Sequence, residues 1–182
     1  NNNLKDIPLL SISTLEYLNL HNNKISKIND GAFDALVNLR TLYLYINELE
    51  AIPTLPISTL EVLNFGDNKI SNINDGAFDA LVNLQELYLY SNKLEEIPSL
   101  PISTLEILSL NSNKISKIND GAFDALVNLK ELYLHDNELK ELPALPISTL
   151  EYLNFDSNNV RIIHDGVFDA LVNLKRLYLY NN

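Results

Sequence analysis

Residues 105–149 read LEILSLNSNKISKINDGAFDALVNLKELYLHDNELKELPALPIST, and this stretch decides the fold. It holds two clauses that open alike. Leu105, Leu108, Leu110, Asn113 and Ile115 begin the first, and Leu129, Leu132, Leu134, Asn137 and Leu139 begin the second. The same pair recurs on both sides. Leu15, Leu60, Leu105 and Leu150 start one set of clauses and Leu39, Leu84, Leu129 and Leu174 the other, in steps of 24 and 21 residues without a slip. A fixed short period marks a solenoid, in which each unit buries its apolar face only against its neighbours.

Within a clause, the Leu-x-Leu centre predicts a short strand whose alternate side chains point into a core and out of it. Phe65 and Phe155 replace the third leucine in two clauses. The asparagine that follows can donate and accept at once. Stacked Asn23, Asn47, Asn68, Asn92, Asn113, Asn137, Asn158 and Asn182 are therefore expected to form a ladder that satisfies backbone groups in the turns. The two clause types differ behind the strand. The long one continues INDGAFDALVNL, with Asp30, Asp75, Asp120 and Asp165 expected to cap a helical turn and Phe33, Phe78, Phe123 and Phe168 to stack as an internal spine. The short one runs through two prolines three residues apart, as at Pro53 and Pro56, and predicts extended backbone.

The recurring LxxLxLxxNx pattern resembles the leucine-rich repeat along essentially the whole chain. The alternation of IPxLP behind one repeat with AFxxL behind the next is similar to the small leucine-rich proteoglycans of the extracellular matrix. Those proteins carry cysteine-stapled caps, whereas this chain has no cysteine, and it offers no N-x-[ST] glycosylation acceptor. The resemblance implies a curved horseshoe of α/β class, with one parallel sheet lining the concave side and helical turns alternating with extended segments behind. Residues 1–182 then form a single domain: a partial repeat 1–14, seven full repeats 15–173 and a partial repeat 174–182. A natural chain of this kind is expected outside the cell, and an engineered one has no native compartment. NDGAFDALVNL and LPISTLE each occur three times unchanged, and methionine, cysteine and tryptophan are absent. Such uniformity points to a consensus-type or engineered sequence, with recent natural duplication as the alternative source.

A net charge of −11 disfavours nucleic acid as a partner, because phosphate neutralisation needs clustered Lys and Arg. No apolar run approaches the length of a membrane span. Asn2 and Asn182 stand at the same phase of the repeat, with no polar cap beside either. The expectation is an excerpt of a longer array, or copies meeting head to tail.

The aromatic residues are sorted by whether they carry a hydroxyl. All six phenylalanines fall at core positions, while all nine tyrosines fall at strand positions predicted to face the concave side. Tyrosine offers rigid contact area with a polar tip, which suits binding surfaces. It also covers an exposed sheet well, so scaffold covering is the competing reading. The candidate surface comprises Tyr17, Tyr43, Tyr45, Tyr88, Tyr90, Tyr133, His135, Tyr152, Asp156, Tyr178 and Tyr180.

Chemistry is thinly represented. Ser109, His135 and Asp156 lie on successive strands, but Ser109 and His135 occupy different columns and no glycine-rich oxyanion loop accompanies them. Asp136 and Asp156, with His135 and Asn154, read as a solvated acidic patch rather than a calcium site. No enzyme activity, cofactor or metal is expected. The two functions carried forward are a scaffold that binds a protein partner through its concave face and a module that self-associates through its ends or concave faces.

Overall fold

The computed structural model describes residues 2–182. Twelve strands follow one another: β1 (Asp6–Ile7), β2 (Tyr17–Asn19), β3 (Lys27–Ile28), β4 (Thr41–Tyr43), β5 (Ala51–Ile52), β6 (Val62–Asn64), β7 (Asn72–Ile73), β8 (Glu86–Tyr88), β9 (Ile107–Ser109), β10 (Glu131–Tyr133), β11 (Tyr152–Asn154) and β12 (Arg176–Tyr178). Eight of them form one parallel sheet in the order β12-β11-β10-β9-β8-β6-β4-β2. The chain is thus a parallel-sheet solenoid of about eight turns. Register is uniform: the central leucines, Leu18, Leu42, Leu63, Leu87, Leu108, Leu132, Leu153 and Leu177, pair in line. A one-residue slip would turn that whole leucine row out to solvent, which fixes the register.

Two further ladders were not anticipated. β1 pairs with β3 and β5 with β7, each two residues long and parallel. Ile7 and Ile52 each precede a proline, which favours extended backbone; Ile97 and Leu142 precede prolines as well and form no strand, so the proline permits these ladders without dictating them.

The expected helical turns are not there. Among the described residues no helix occurs, and NDGAFDAL folds as a chain of turns. Its hydrogen bonds span three residues but fall at intervals: Ala32 to Asn29, Asp34 to Gly31, Leu36 to Phe33 and Leu39 to Leu36. Gly31, Gly76, Gly121 and Gly166 sit at φ between 70° and 81°, a left-handed step that breaks a right-handed nucleus at its start. The α/β expectation is corrected accordingly, and Asp30 and its counterparts cap nothing. What survives of that segment is its packing. Phe33, Phe78 and Phe123 are buried against the strand leucines, with Phe168 half-buried.

The asparagine ladder is built as expected. Asn47 Oδ1 accepts from Ile25 N at 3.0 Å, and its Nδ2 donates to Leu20 O and Leu44 O at 3.0 Å. Asn68, Asn92, Asn113, Asn137 and Asn158 repeat the pattern. A second network runs along one rim. Asn38, Asn83, Asn128 and Asn173 each donate to a serine carbonyl 25 residues earlier, and Thr59, Thr104 and Thr149 each donate to a leucine carbonyl 20 residues earlier.

The residue before each ladder asparagine is left-handed, at φ between 50° and 56° for Asn22, Ile46, Asp67, Ser91, Ser112, Asp136, Ser157 and Asn181. Seven of these are short and polar, which suits that conformation. Ile46 is β-branched and 44% exposed. Replacing it with asparagine should stabilise the chain by about 1 kcal/mol, read as a raised urea midpoint with an unchanged slope.

Candidate functional site

One face of the eight-stranded sheet lies on the core. The other is open and carries the side chains that flank each central leucine. Because alternate strand residues share a face, the tyrosines at 43, 88, 133 and 178 stand in one column, with Asn19, Asn64, Ser109 and Asn154 between them. The asparagines of this column are structural. Asn19, Asn64 and Asn154 each accept from the backbone N–H two residues on, tying the chain as it enters the left-handed turn.

The candidate residues meet in two groups. In the first, Tyr43 lies edge-on to Tyr17 at 5.6 Å and to Tyr45 at 5.9 Å, and Tyr45 stacks on His21 at 4.6 Å. In the second, Tyr152 fills the space between Tyr133 at 4.8 Å and Tyr178 at 5.3 Å, and Arg176 lies over the Tyr152 ring at 4.9 Å. His135 meets Tyr133 edge-on at 6.3 Å, and its Nδ1 is buried without a hydrogen-bond partner. Tyr180 is exposed, and its backbone N–H donates to the Asp156 carboxylate. Tyr90 lies flat across Gly66, where a Cβ would stand 2.2 Å from the ring. That glycine is present for close approach, and the sequence pattern did not reveal it.

Also missed were two carboxylates that act on the column. Tyr88 Oη donates to Glu86 at 2.8 Å and Tyr133 Oη to Glu131 at 2.6 Å. The signal was legible as the repeated Glu-Leu-Tyr, since residues two apart on a strand face the same way. Burial raises both phenols well above the ordinary tyrosine value, and the hydrogen bond to the neighbouring carboxylate raises them further. Tyr43 is raised by burial and then by the neighbouring Tyr17 hydroxyl and Glu86, and Tyr90 by burial.

This gives a pH prediction. A phenol that holds its proton more tightly when folded stabilises the fold fully below the unfolded value of about 10, and the stability is lost as pH rises through the folded value. In an alkaline absorbance titration Tyr88 and Tyr133 should ionise well above the ordinary tyrosine range, and urea stability should fall above about pH 10. Unfolding of the chain should release both together.

The structure does not assemble a catalytic group from Ser109, His135 and Asp156. Ser109 Oγ pairs with Asn111 Oδ1 at 2.6 Å and Asp156 is engaged by Tyr180. Among the described residues no set of three His, Asp or Glu side chains could hold a metal ion. No helix among them is long and apolar enough to cross a membrane. A hollow of about 870 Å³ opens at the last turns, beside Asn158 and Arg161, and none of the candidate residues lines it.

The Leucine rich repeat family matches residues 1–53, 56–94 and 103–145, well over half of the chain. No curated protein sequence matches. Among solved structures, a leucine-rich repeat protein of Leptospira interrogans superposes with a TM-score of 0.83 at 32% identity, over 93% of this chain and 44% of its own. A TLR13 complex with single-stranded RNA gives 0.83 at 28% identity, over 94% of this chain and 26% of that one. The Toll–Spätzle complex of Drosophila gives 0.84 at 23% identity, over 90% and 23%, a likeness of fold alone. The chain spans less than half the length of each. Period, asparagine ladder and family match coincide, and the chain belongs to the leucine-rich repeat family.

Proposed function

We propose that the chain is a non-enzymatic repeat scaffold that binds a protein partner through the concave face of its sheet, with Tyr43, Tyr88, Tyr133 and Tyr178 as anchors. The observation that carries this reading is the sorting of the aromatics. The phenylalanines line the core and the tyrosines stand on the open face, where their rings form contiguous groups. Rigid rings with polar tips give contact area at small entropic cost. The match to a family of repeat scaffolds supports the class, and the Toll–Spätzle structure is a member of that fold in complex with a protein. The TLR13 structure holds RNA, yet the open sheet columns of the present chain carry Arg176 as their single Lys or Arg. A protein partner is therefore preferred over nucleic acid.

The origin and subtype belong to the same reading. Residues 1–182 are read as one repeat domain, of consensus-derived or engineered origin, on the near-verbatim copies. The alternation of proline-bearing extended backs with DGAF turns supports likeness to the small leucine-rich proteoglycans, and a natural chain of that type would work outside the cell.

The test is to pan a displayed random peptide library on the protein and on a variant with Tyr88, Tyr90 and Tyr133 replaced by serine. Peptides selected on the parent should lose binding to the variant while its circular dichroism is unchanged. Equal capture by both proteins would overturn the concave-face reading. Sedimentation of the two proteins addresses the alternative: an oligomer that dissociates in the variant would make the same tyrosines a self-association surface.

A further inference from the structure

We propose that the cleft between Tyr88 and Tyr133 takes the guanidinium or ammonium group of a basic polypeptide segment. The inference rests on the concave-face reading and names the chemistry of the partner. Tyr88 and Tyr133 both pair in register with Ser109, so their rings rise from the strands on either side of β9. Two strand spacings place their backbones about 9.6 Å apart. Ser109 between them is small and buried, and its hydroxyl is turned along the strand to Asn111. The floor of the cleft is therefore low. A planar cation stacked about 3.5–4 Å from each ring needs a ring separation of about 7–8 Å, which a small tilt of the two side chains provides.

The charge in the cleft is one-sided. Glu86 and Glu131 stand at its two walls, each taking a hydrogen bond from its own tyrosine. The open-face positions of β8, β9 and β10 and of the residues just after them are Glu86, Tyr88, Tyr90, Ile107, Ser109, Asn111, Glu131, Tyr133 and His135, with no Lys or Arg. The ion pairs among the described residues join Arg40 to Glu61, Lys69 to Glu48, Lys130 to Glu106 and Lys175 to Glu151, and leave both cleft glutamates out. A carboxylate offers about four lone-pair sites, so a single phenol leaves room for a bidentate guanidinium.

The same face shows what happens where a cation is supplied. One period on, between Tyr133 and Tyr178, the space is filled by Tyr152 with the Arg176 guanidinium over its ring. The Tyr88–Tyr133 cleft has matching aromatic walls and two carboxylates, and lacks the internal arginine. The net charge of −11 would steer a basic segment toward the chain but would not place it.

The experiment uses the full chain and labelled oligo-arginine, oligo-lysine and oligo-glutamate peptides of equal length, read by fluorescence anisotropy. Oligo-arginine should bind most tightly and oligo-glutamate not at all. The double variant Glu86→Gln and Glu131→Gln keeps an acceptor for each phenol and should weaken oligo-arginine about tenfold. Tyr88→Ser should weaken it about fivefold. A control with Asp75→Asn and Asp120→Asn, in the DGAF turns behind the sheet, removes the same charge and should change affinity less than twofold. Equal weakening by the control and the glutamate variant would mean diffuse attraction and would overturn the proposal. Library peptides without Lys or Arg that still depend on Tyr88 and Tyr133 would also overturn it while leaving the concave-face reading standing. Loss of all tyrosine dependence removes both.

Discussion

Replacing Asn113 with alanine should lower the free energy of unfolding by about 3–5 kcal/mol. The side chain is 9% exposed and lies at the centre of the ladder. Its Oδ1 accepts from Leu94 N at 3.0 Å, and its Nδ2 donates to Leu89 O at 2.9 Å and Leu110 O at 3.0 Å. Leu110 O keeps a second donor in Asn137 and Leu89 O one in Asn92, but Leu94 N donates to Asn113 alone among the described residues. Truncation strands the buried Leu94 N–H, at about 1–3 kcal/mol, removes one of two donors from each carbonyl, at about 0.5–1.5 kcal/mol each, and leaves a small void besides. Asn113→Asp separates the donor role from shape. It can still accept from Leu94 N, yet offers no N–H to the two carbonyls and buries a charge beside them. It should be at least as destabilised as the alanine variant at neutral pH and recover part of that loss in acid. Urea unfolding followed by far-ultraviolet circular dichroism measures both. A loss under about 1 kcal/mol for the alanine variant would mean that water enters and the ladder is dispensable.

The second large effect is expected at Phe78. Its ring is 2% exposed and packs within the continuous core. Phe78→Ala should cost about 3–5 kcal/mol, through lost burial and the cavity that remains. Phe168 holds the same place two 45-residue periods later but is only half-buried, so Phe168→Ala should cost clearly less. The comparison isolates burial, because both phenylalanines sit in the same D-G-x-F-D-A-L-V-N-L sequence. A solenoid couples each turn only to its neighbours, so a weak turn in the middle also loosens the link between halves. The urea slope of the Phe78 variant should therefore fall along with its midpoint. Equal costs at both positions would show that packing in this turn does not track burial.

Much of the architecture was legible because the chain repeats itself. The eight clause openings located eight parallel strands, and the asparagine after each strand located the ladder, since one amide per turn that both donates and accepts has few other uses. The DGAF segment misled. Aspartate before a small apolar run is a helix-start signal, yet glycine in the next position adopts a left-handed step and the segment closes as separate turns. The left-handed residue before each ladder asparagine was also hidden, because Ile46 interrupts an otherwise short and polar column.

At the candidate site the sequence by itself determined which side chains share the open face, because strand alternation and a slip-free register follow from the positions of the leucines alone. It determined the sorting of phenylalanine from tyrosine and the acidic balance of the chain. Only the tertiary structure decided what those side chains do to one another. That Tyr152 closes one gap under Arg176, that Ser109 lies buried between two tyrosine–glutamate pairs, and that Gly66 lets Tyr90 lie flat are outcomes of spacing between neighbouring turns. Contacts between turns depend on rotamer and distance across strands about 4.8 Å apart, and a pattern read along one strand carries neither.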